Sequence, residues 1–205
     1  MPTVLDHPLA AHNLTILRDR TTSSPDFRQA ARRLAHLLVA EATCDMSLED
    51  VEIETPLEAT TGKRLAKPVV LVSVLRAGLG LIDAALELFP DARIGYAGVQ
   101  RSEDTAEPLE YYTKFPHLDD ARVLILEPML ATGGSLQWAA SKVAEQGATD
   151  VTAVCVVAAP AGIEHMSRAH PDVRLVTAAV DRSLDENFYI RPGLGDMGDR
   201  LFGTE

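Results

Sequence analysis

The chain is 205 residues long and 46% hydrophobic, with 19 basic against 30 acidic side chains and a formal charge of −11. Length and apolar content suit a single α/β domain over residues 1–205 with a substantial core, and the apolar runs are far too short for a membrane span. The acidic balance weighs against nonspecific attachment to nucleic acid or anionic lipid, so an anionic ligand must be held by local donors.

The amino-terminal stretch Met1-Pro2-Thr3-Val4-Leu5-Asp6 lacks a basic region followed by an apolar one, which predicts a cytoplasmic protein. From Ser24-Pro25, a cap-like serine and a helix-starting proline, Phe27, Ala31, Leu34 and Leu38 recur at helical spacing. An amphipathic helix to about Thr43 follows from that pattern, with Arg28, Arg32 and Arg33 on its solvated face. Cys44 and Cys155 stand far apart, without a second cysteine or histidine at metal-ligand spacing. They read as ordinary core or helix residues rather than a disulfide, a metal site or a nucleophile.

Val69 to Val74 is a continuous apolar run with branched residues, as a strand buried on both faces of a parallel sheet requires. A helix from about Leu79 to Leu88 and a strand from Arg93 to Val99 come next. The polar stretch from Gln100 to Asp120 reads as a long functional loop. Beyond it, the pattern predicts strands at Arg122 to Leu126, Val151 to Val157 and Arg174 to Val180. Helices are expected at Ser135 to Gln146, ending at Gly147, and at Ala161 to Ala169. This alternation predicts a mainly parallel sheet flanked by helices, whose ligands gather at the carboxyl ends of the strands.

Between the strand ending at Leu126 and the next helix stand Glu127-Pro128-Met129-Leu130-Ala131-Thr132-Gly133-Gly134-Ser135. Gly133 and Gly134 present no side chain to hold a ligand off. Thr132 and Ser135 add hydroxyls where the first N–H groups of the helix are unpaired, which is chemistry for a phosphate. Glu127 stands where a carboxylate would accept hydrogen bonds from sugar hydroxyls, so the pair points to a phosphorylated ribose. Two other phosphate motifs are excluded by inspection. A Walker loop ending at Gly62-Lys63 would need glycine at Leu57 and Ser or Thr at Arg64. Gly193, Gly195 and Gly198 have dinucleotide-fingerprint spacing, yet they lack the acidic partner about 20 residues further on.

Taken together, the Glu127 loop, Leu75-Arg76-Ala77-Gly78-Leu79-Gly80, Glu107-Pro108-Leu109-Glu110-Tyr111-Tyr112, Ala158-Ala159-Pro160, Asp6-His7-Pro8-Leu9 and the tail Tyr189 to Thr204 closely resemble the uracil phosphoribosyltransferase family. The resemblance spans nearly the whole chain, and the tail Pro192-Gly193-Leu194-Gly195-Asp196 narrows it to the uracil branch. It implies a type I phosphoribosyltransferase α/β fold with a mobile hood hairpin and a carboxy-terminal base-recognising segment. It further implies transfer of ribose 5-phosphate from phosphoribosyl pyrophosphate (PRPP) to N1 of uracil, giving UMP and pyrophosphate. Arg76, Glu127 and Asp196 are then expected to be catalytic. PRPP would be bound by Arg76, Arg101, the loop Glu127-Pro128-Met129-Leu130-Ala131-Thr132-Gly133-Gly134-Ser135 and Asp196, with the two arginines at the pyrophosphate, Glu127 at the ribose hydroxyls and Ala131 to Ser135 at the 5-phosphate, while Ile190, Gly195, Asp196 and Met197 would face the uracil. Magnesium would arrive with PRPP rather than in a protein cage. A homo-oligomer is implied, as is GTP control in some members. Two departures bear on these roles: Glu127 stands where the family has Asp, and Met197 where it has Ala. They leave open a weakly catalytic UMP- or PRPP-binding regulator and a changed base preference.

Overall fold

A computed structural model describes residues 1–101 and 108–204. Its centre is a sheet of strands β1 (Thr3–Val4), β4 (Val69–Leu75), β5 (Arg93–Arg101), β6 (Pro108–Lys114), β7 (Arg122–Leu126), β8 (Met129–Leu130), β9 (Asp150–Ala158) and β10 (Arg174–Val180). The order is β1-β10-β9-β7-β4-β5-β6, with β8 extending along β9, and every pairing is parallel except β5 with β6. Among the described residues six helices accompany it: α1 (Pro8–Arg18), α2 (Ser24–Ala42), α3 (Leu79–Leu88), α4 (Gly134–Glu145), α5 (Pro160–Ala169) and α6 (Met197–Phe202). Two antiparallel pairs lie off the sheet, β2 (Leu48–Glu54) with β3 (Ala59–Leu65) and β11 (Ser183–Leu184) with β12 (Ile190–Arg191).

The apolar runs became strands because both faces of the sheet are covered. Along β4, Val69 and Leu71 enter one core with α1, α2, α3 and α6, while Val70, Val72 and Val74 enter a second core with α4 and α5. β7 divides in the same way, with Leu124 and Leu126 on one side and Val123 and Ile125 on the other. A period of two with apolar residues at every position is the signature of a buried parallel strand. In α2, Phe27, Ala31, Leu34 and Leu38 are fully buried, and Ser23 rather than Ser24 supplies the cap, its hydroxyl accepting the Asp26 N–H. Arg28 departs from its expected solvated role: Nη1 donates to the Leu201 carbonyl at 2.7 Å and ties α2 to α6.

Among the described residues of the expected loop from Gln100 to Asp120, Gln100, Arg101 and Pro108–Lys114 are strand, which corrects the loop reading and agrees with the hairpin that the resemblance implies. β6 folds back antiparallel on the end of β5, with Arg101 opposite Pro108. As an edge strand it leaves Leu109, Tyr111 and Tyr112 exposed, so a one-sided apolar pattern is missing and the segment reads as polar. The tip of this hairpin, 102–107, and the side chain of Arg101 lie outside the described residues.

At the amino ends of the strands an ionic cluster closes the sheet. Arg122, 7% exposed in its side chain, pairs with Asp45 at 2.5 Å and Asp150 at 3.1 Å and donates to Thr152 at 3.0 Å. The carboxyl ends carry the glycines. Between β4 and α3, an added Cβ at Gly78 would stand 2.4 Å from the Leu126 carbonyl oxygen and 2.7 Å from that of Val74. Neither obstacle can rotate away. Gly78→Ala is therefore expected to cost about 1–3 kcal/mol of stability as overpacking does, measured by urea denaturation, and an unchanged midpoint would contradict this account of the turn.

Candidate active site

β4 and β7 are neighbours with Ser73 opposite Leu126, so the loops that follow them, Arg76 to Gly78 and Glu127 to Gly133, lie side by side. The second loop is stapled to the sheet before it turns. Glu127 N–H donates to the Val154 carbonyl at 3.1 Å, and the Pro128 carbonyl accepts from Val156 and Val157 at 2.8 and 3.1 Å. Met129 and Leu130 pair with β9, and the Leu130 carbonyl accepts from Ala159 at 2.8 Å. The chain then reverses through Gly133 at φ 91, a left-handed position suited to glycine, and α4 begins at Gly134. The first N–H groups of α4, from Gly134, Ser135 and Leu136, have no acceptor within the helix and face the end of the loop where an anion is favoured.

One cavity of about 490 Å³ gathers most of the candidate residues. Its donor side is made by Arg76, Glu127, Met129, Ala131 and Ser135, and its far wall by Ile190, Gly195, Asp196 and Met197. Leu130 and Gly133 line a small recess that shares Glu127, Ala131 and Ser135 with that cavity. Pro128 is buried and serves as the anchor to β9, while Thr132 and Gly134 are half-buried in the turn itself. Glu127 is 8% exposed, a carboxylate at the floor of the cavity. Beside it the buried Cys155 thiol is pushed far above its ordinary range, first by burial and then by the Glu127 charge. It is held as the neutral thiol and is no nucleophile.

The far wall owes its shape to residues that motif reading passed over. Asp181, 6% exposed, accepts the Gly193 N–H at 2.8 Å and takes both arms of Arg18, at 2.6 and 2.8 Å. Arg200 donates to the carbonyls of Leu17, Leu194 and Asp19 and lies over the Phe27 ring, 4.3 Å from its centroid. Gly193 and Gly195 take φ 62 and 82 within this frame. The sequence carried little signal for either: Arg18 stands among Asp19 and Arg20, and Asp181 is marked only by following directly on the apolar strand that ends at Val180. Met197, the first residue of α6, is 1% exposed, so most of its bulk is sunk in the core.

Asp196 is the amino-terminal cap of α6, its Oδ1 accepting the Asp199 N–H at 2.9 Å. The cap occupies one carboxylate oxygen of Asp196 and leaves the second outside it. Arg76 is steered from the same helix. Its Nη2 donates to Asp199 Oδ1 at 2.9 Å and its Nη1 to Thr204 Oγ1 at 3.2 Å, while Thr204 Oγ1 donates to Asp199 Oδ1 at 2.7 Å. The Thr204 hydroxyl, then Arg76, lowers the Asp199 carboxyl below its ordinary 3.8. A depressed native value means that this carboxylate stabilises the fold fully above its unfolded value, and that the contribution is lost as pH falls through the lower native one. The difference in melting temperature between the wild type and Asp199→Asn should accordingly shrink below about pH 3.8; a difference that stays constant into acid would exclude the coupling.

Comparison with known proteins places this geometry. The family model for uracil phosphoribosyltransferase matches residues 4–204. The uracil phosphoribosyltransferase of Ligilactobacillus salivarius is 50% identical over 204 residues, 98% of each chain. That of Alkaliphilus oremlandii is 48% identical over 99% of this chain and 98% of its own. Among solved structures, the AQ2163 protein of Aquifex aeolicus superposes with a TM-score of 0.96 at 36% identity, covering 100% and 99% of the two chains. The parallel sheet, the stapled loop before α4 and the braced carboxy-terminal wall are thus those of a type I phosphoribosyltransferase, and the chain belongs to the uracil phosphoribosyltransferase family of pentosyltransferases.

Proposed function

We propose that the protein transfers the ribose 5-phosphate of PRPP to N1 of uracil, releasing pyrophosphate and UMP, as a cytoplasmic enzyme of pyrimidine salvage. The observation that carries this reading is the single cavity of about 490 Å³ that joins Arg76, Glu127 and the start of α4 to Ile190, Gly195, Asp196 and Met197. Its volume suits a ligand of nucleotide size. The α4 N–H groups and the Thr132 and Ser135 hydroxyls grip the 5-phosphate, and Glu127 accepts from the ribose hydroxyls. Phosphate and sugar held at two points present the anomeric carbon to the far wall.

As the bond from that carbon to pyrophosphate lengthens and the N1–C1 bond forms, negative charge grows on the leaving group and positive charge on the sugar, and the proton of uracil N1 is released to the departing diphosphate or to water. Arg76 meets the first with a fork of donors, and Arg101 at the hairpin base is assigned to the same group by resemblance. The carboxylates of Glu127 and Asp196 lie on the side of the growing positive charge. The main-chain groups of Ile190, Gly195 and Met197 read the two carbonyls and the N3–H of uracil. A base with a reversed edge leaves those buried partners unpaired.

Magnesium enters this reading with the substrate. Glu127 and Asp196 offer hard oxygen donors within one cavity, a set that suits an ion keeping its waters and the diphosphate oxygens. Bound there, it would neutralise charge on the diphosphate. Among the described residues no helix is long and apolar enough to cross a membrane. We further infer a homo-oligomer, because the β2–β3 hairpin leaves Leu48, Ile53, Leu57 and Leu65 exposed. Light scattering should give a mass above the 22.1 kDa of one chain, and a monomer would contradict this. Adding GTP to the assay below tests the effector role.

Incubated with PRPP, magnesium and uracil, the protein should form UMP and pyrophosphate in equal amounts, with cytosine and purines far poorer acceptors. Failure to form either product under varied conditions would overturn the reading and favour a binding regulator. Asp196→Asn separates the two roles of that residue. Asparagine caps a helix as well as aspartate, so the melting temperature should hold, while turnover should fall about 100-fold if the charge matters to the reaction. Unchanged turnover would confine Asp196 to its structural role.

A further inference from the structure

Between β11 and β12 the chain adopts a conformation that its residue does not favour. Phe188 sits at φ 62, in the left-handed region where a Cβ crowds the backbone and glycine or asparagine is the ordinary occupant. A tight turn imposes it. Asp185 Oδ1 accepts the N–H groups of Asn187 and Tyr189 at 3.0 and 2.9 Å, and Arg191 Nε donates to Asp185 Oδ2 at 2.8 Å. The Phe188 N–H donates to the Asp185 carbonyl at 3.0 Å, and the Asp185 N–H to that of Tyr189 at 2.9 Å. The carboxylate is held charged, its value lowered first by the Tyr189 N–H and also by Arg191. Such over-determined, unfavourable backbone is characteristic of ligand clamps.

The turn delivers an aromatic side chain to the cavity. Phe188 is 46% exposed, contributes nothing to either core, and lines the same cavity as Ile190, Gly195 and Met197. Those residues read the edge of a planar base through main-chain groups, which leaves the face of the ring to be covered. An apolar ring held at the cavity wall by a rigid turn supplies that cover, since aromatic side chains stack on the π-face of a base. We propose that Phe188 stacks on the nucleobase and is a base-binding residue of this site. The proposal rests on the reading of the cavity as a pyrimidine site, and it assigns to Phe188 affinity for the ring rather than for the phosphoribosyl group.

The variant Phe188→Gly tests this without threatening the fold, because glycine takes φ 62 freely. Its melting temperature should equal or exceed that of the wild type. Calorimetric titration with UMP should show affinity weakened about tenfold, the order expected for loss of one base–aromatic stack, while affinity for ribose 5-phosphate stays the same. Phe188→Trp should restore UMP binding. Unchanged UMP affinity in Phe188→Gly, or an equal loss for ribose 5-phosphate, overturns the stacking role while UMP formation by the wild type leaves the function standing. A wild type that binds ribose 5-phosphate but gains nothing from the uracil ring overturns the pyrimidine reading, and the proposal with it.

Discussion

The start of α4 can serve a phosphate because side chains are missing where two pieces of backbone meet. A Cβ at Gly162 on α5 would stand 2.6 Å from the Ala131 carbonyl oxygen. A Cβ at Gly133 would stand 3.2 Å from the Gly162 carbonyl and 3.1 Å from the His165 ring. α5 is therefore pressed against the phosphate loop, which is pinned from the other side by the Pro128 and Leu130 carbonyls on β9 and its extension. A loop held on both sides presents its N–H groups without further ordering, so little conformational entropy is lost on binding. That matters in a chain with a net charge of −11, which repels an anionic substrate at long range and must recover affinity at short range.

The opposite wall follows a different physical rule. Its glycines give the backbone access to a flat ring but no rigidity, and the rigidity is supplied by buried charge. Arg18 and Asp181, with 25% and 5% exposed side chains, are joined by two hydrogen bonds, and the same carboxylate holds Gly193. Breaking one partner of such a pair leaves an uncompensated charge in low dielectric, so the pair contributes more to fixing one arrangement than to net stability. α6 then joins the two halves of the site, since Asp196 caps it and Asp199 within it steers Arg76. The residues proposed for base recognition and for pyrophosphate binding thus meet at one short helix.

The sheet was legible because burial on both faces writes continuous apolar runs such as Val69 to Val74 and Val123 to Leu126. The turn into α4 was legible because paired glycines between an apolar run and a helical pattern mark a strand-to-helix junction, and its phosphate role is a proposal. What escaped were elements without a buried face. β2 and β3 are exposed along nearly their whole length, and β6 lies at an edge, so neither shows the contrast that marks a strand. Long-range polar partners escaped for another reason: Arg18 and Asp181 are 163 positions apart, and no local pattern announces such a pair. Phe188 escaped because a side chain says nothing of the φ its turn imposes. Met197 lines the cavity as expected, yet it is 1% exposed and most of its bulk packs into the core.

The proposed reaction requires a single placement, that of a sugar phosphate against the first turn of α4 with its base on the Gly195 wall. A crystal structure of the protein with UMP tests it most directly. The phosphate oxygens should lie within hydrogen-bond distance of the Gly134 and Ser135 N–H groups, the ribose hydroxyls on Glu127, and the uracil edge on the main chain at Ile190 and Met197. A phosphate bound elsewhere, or a uracil ring outside the cavity between Arg76 and Asp196, would contradict it.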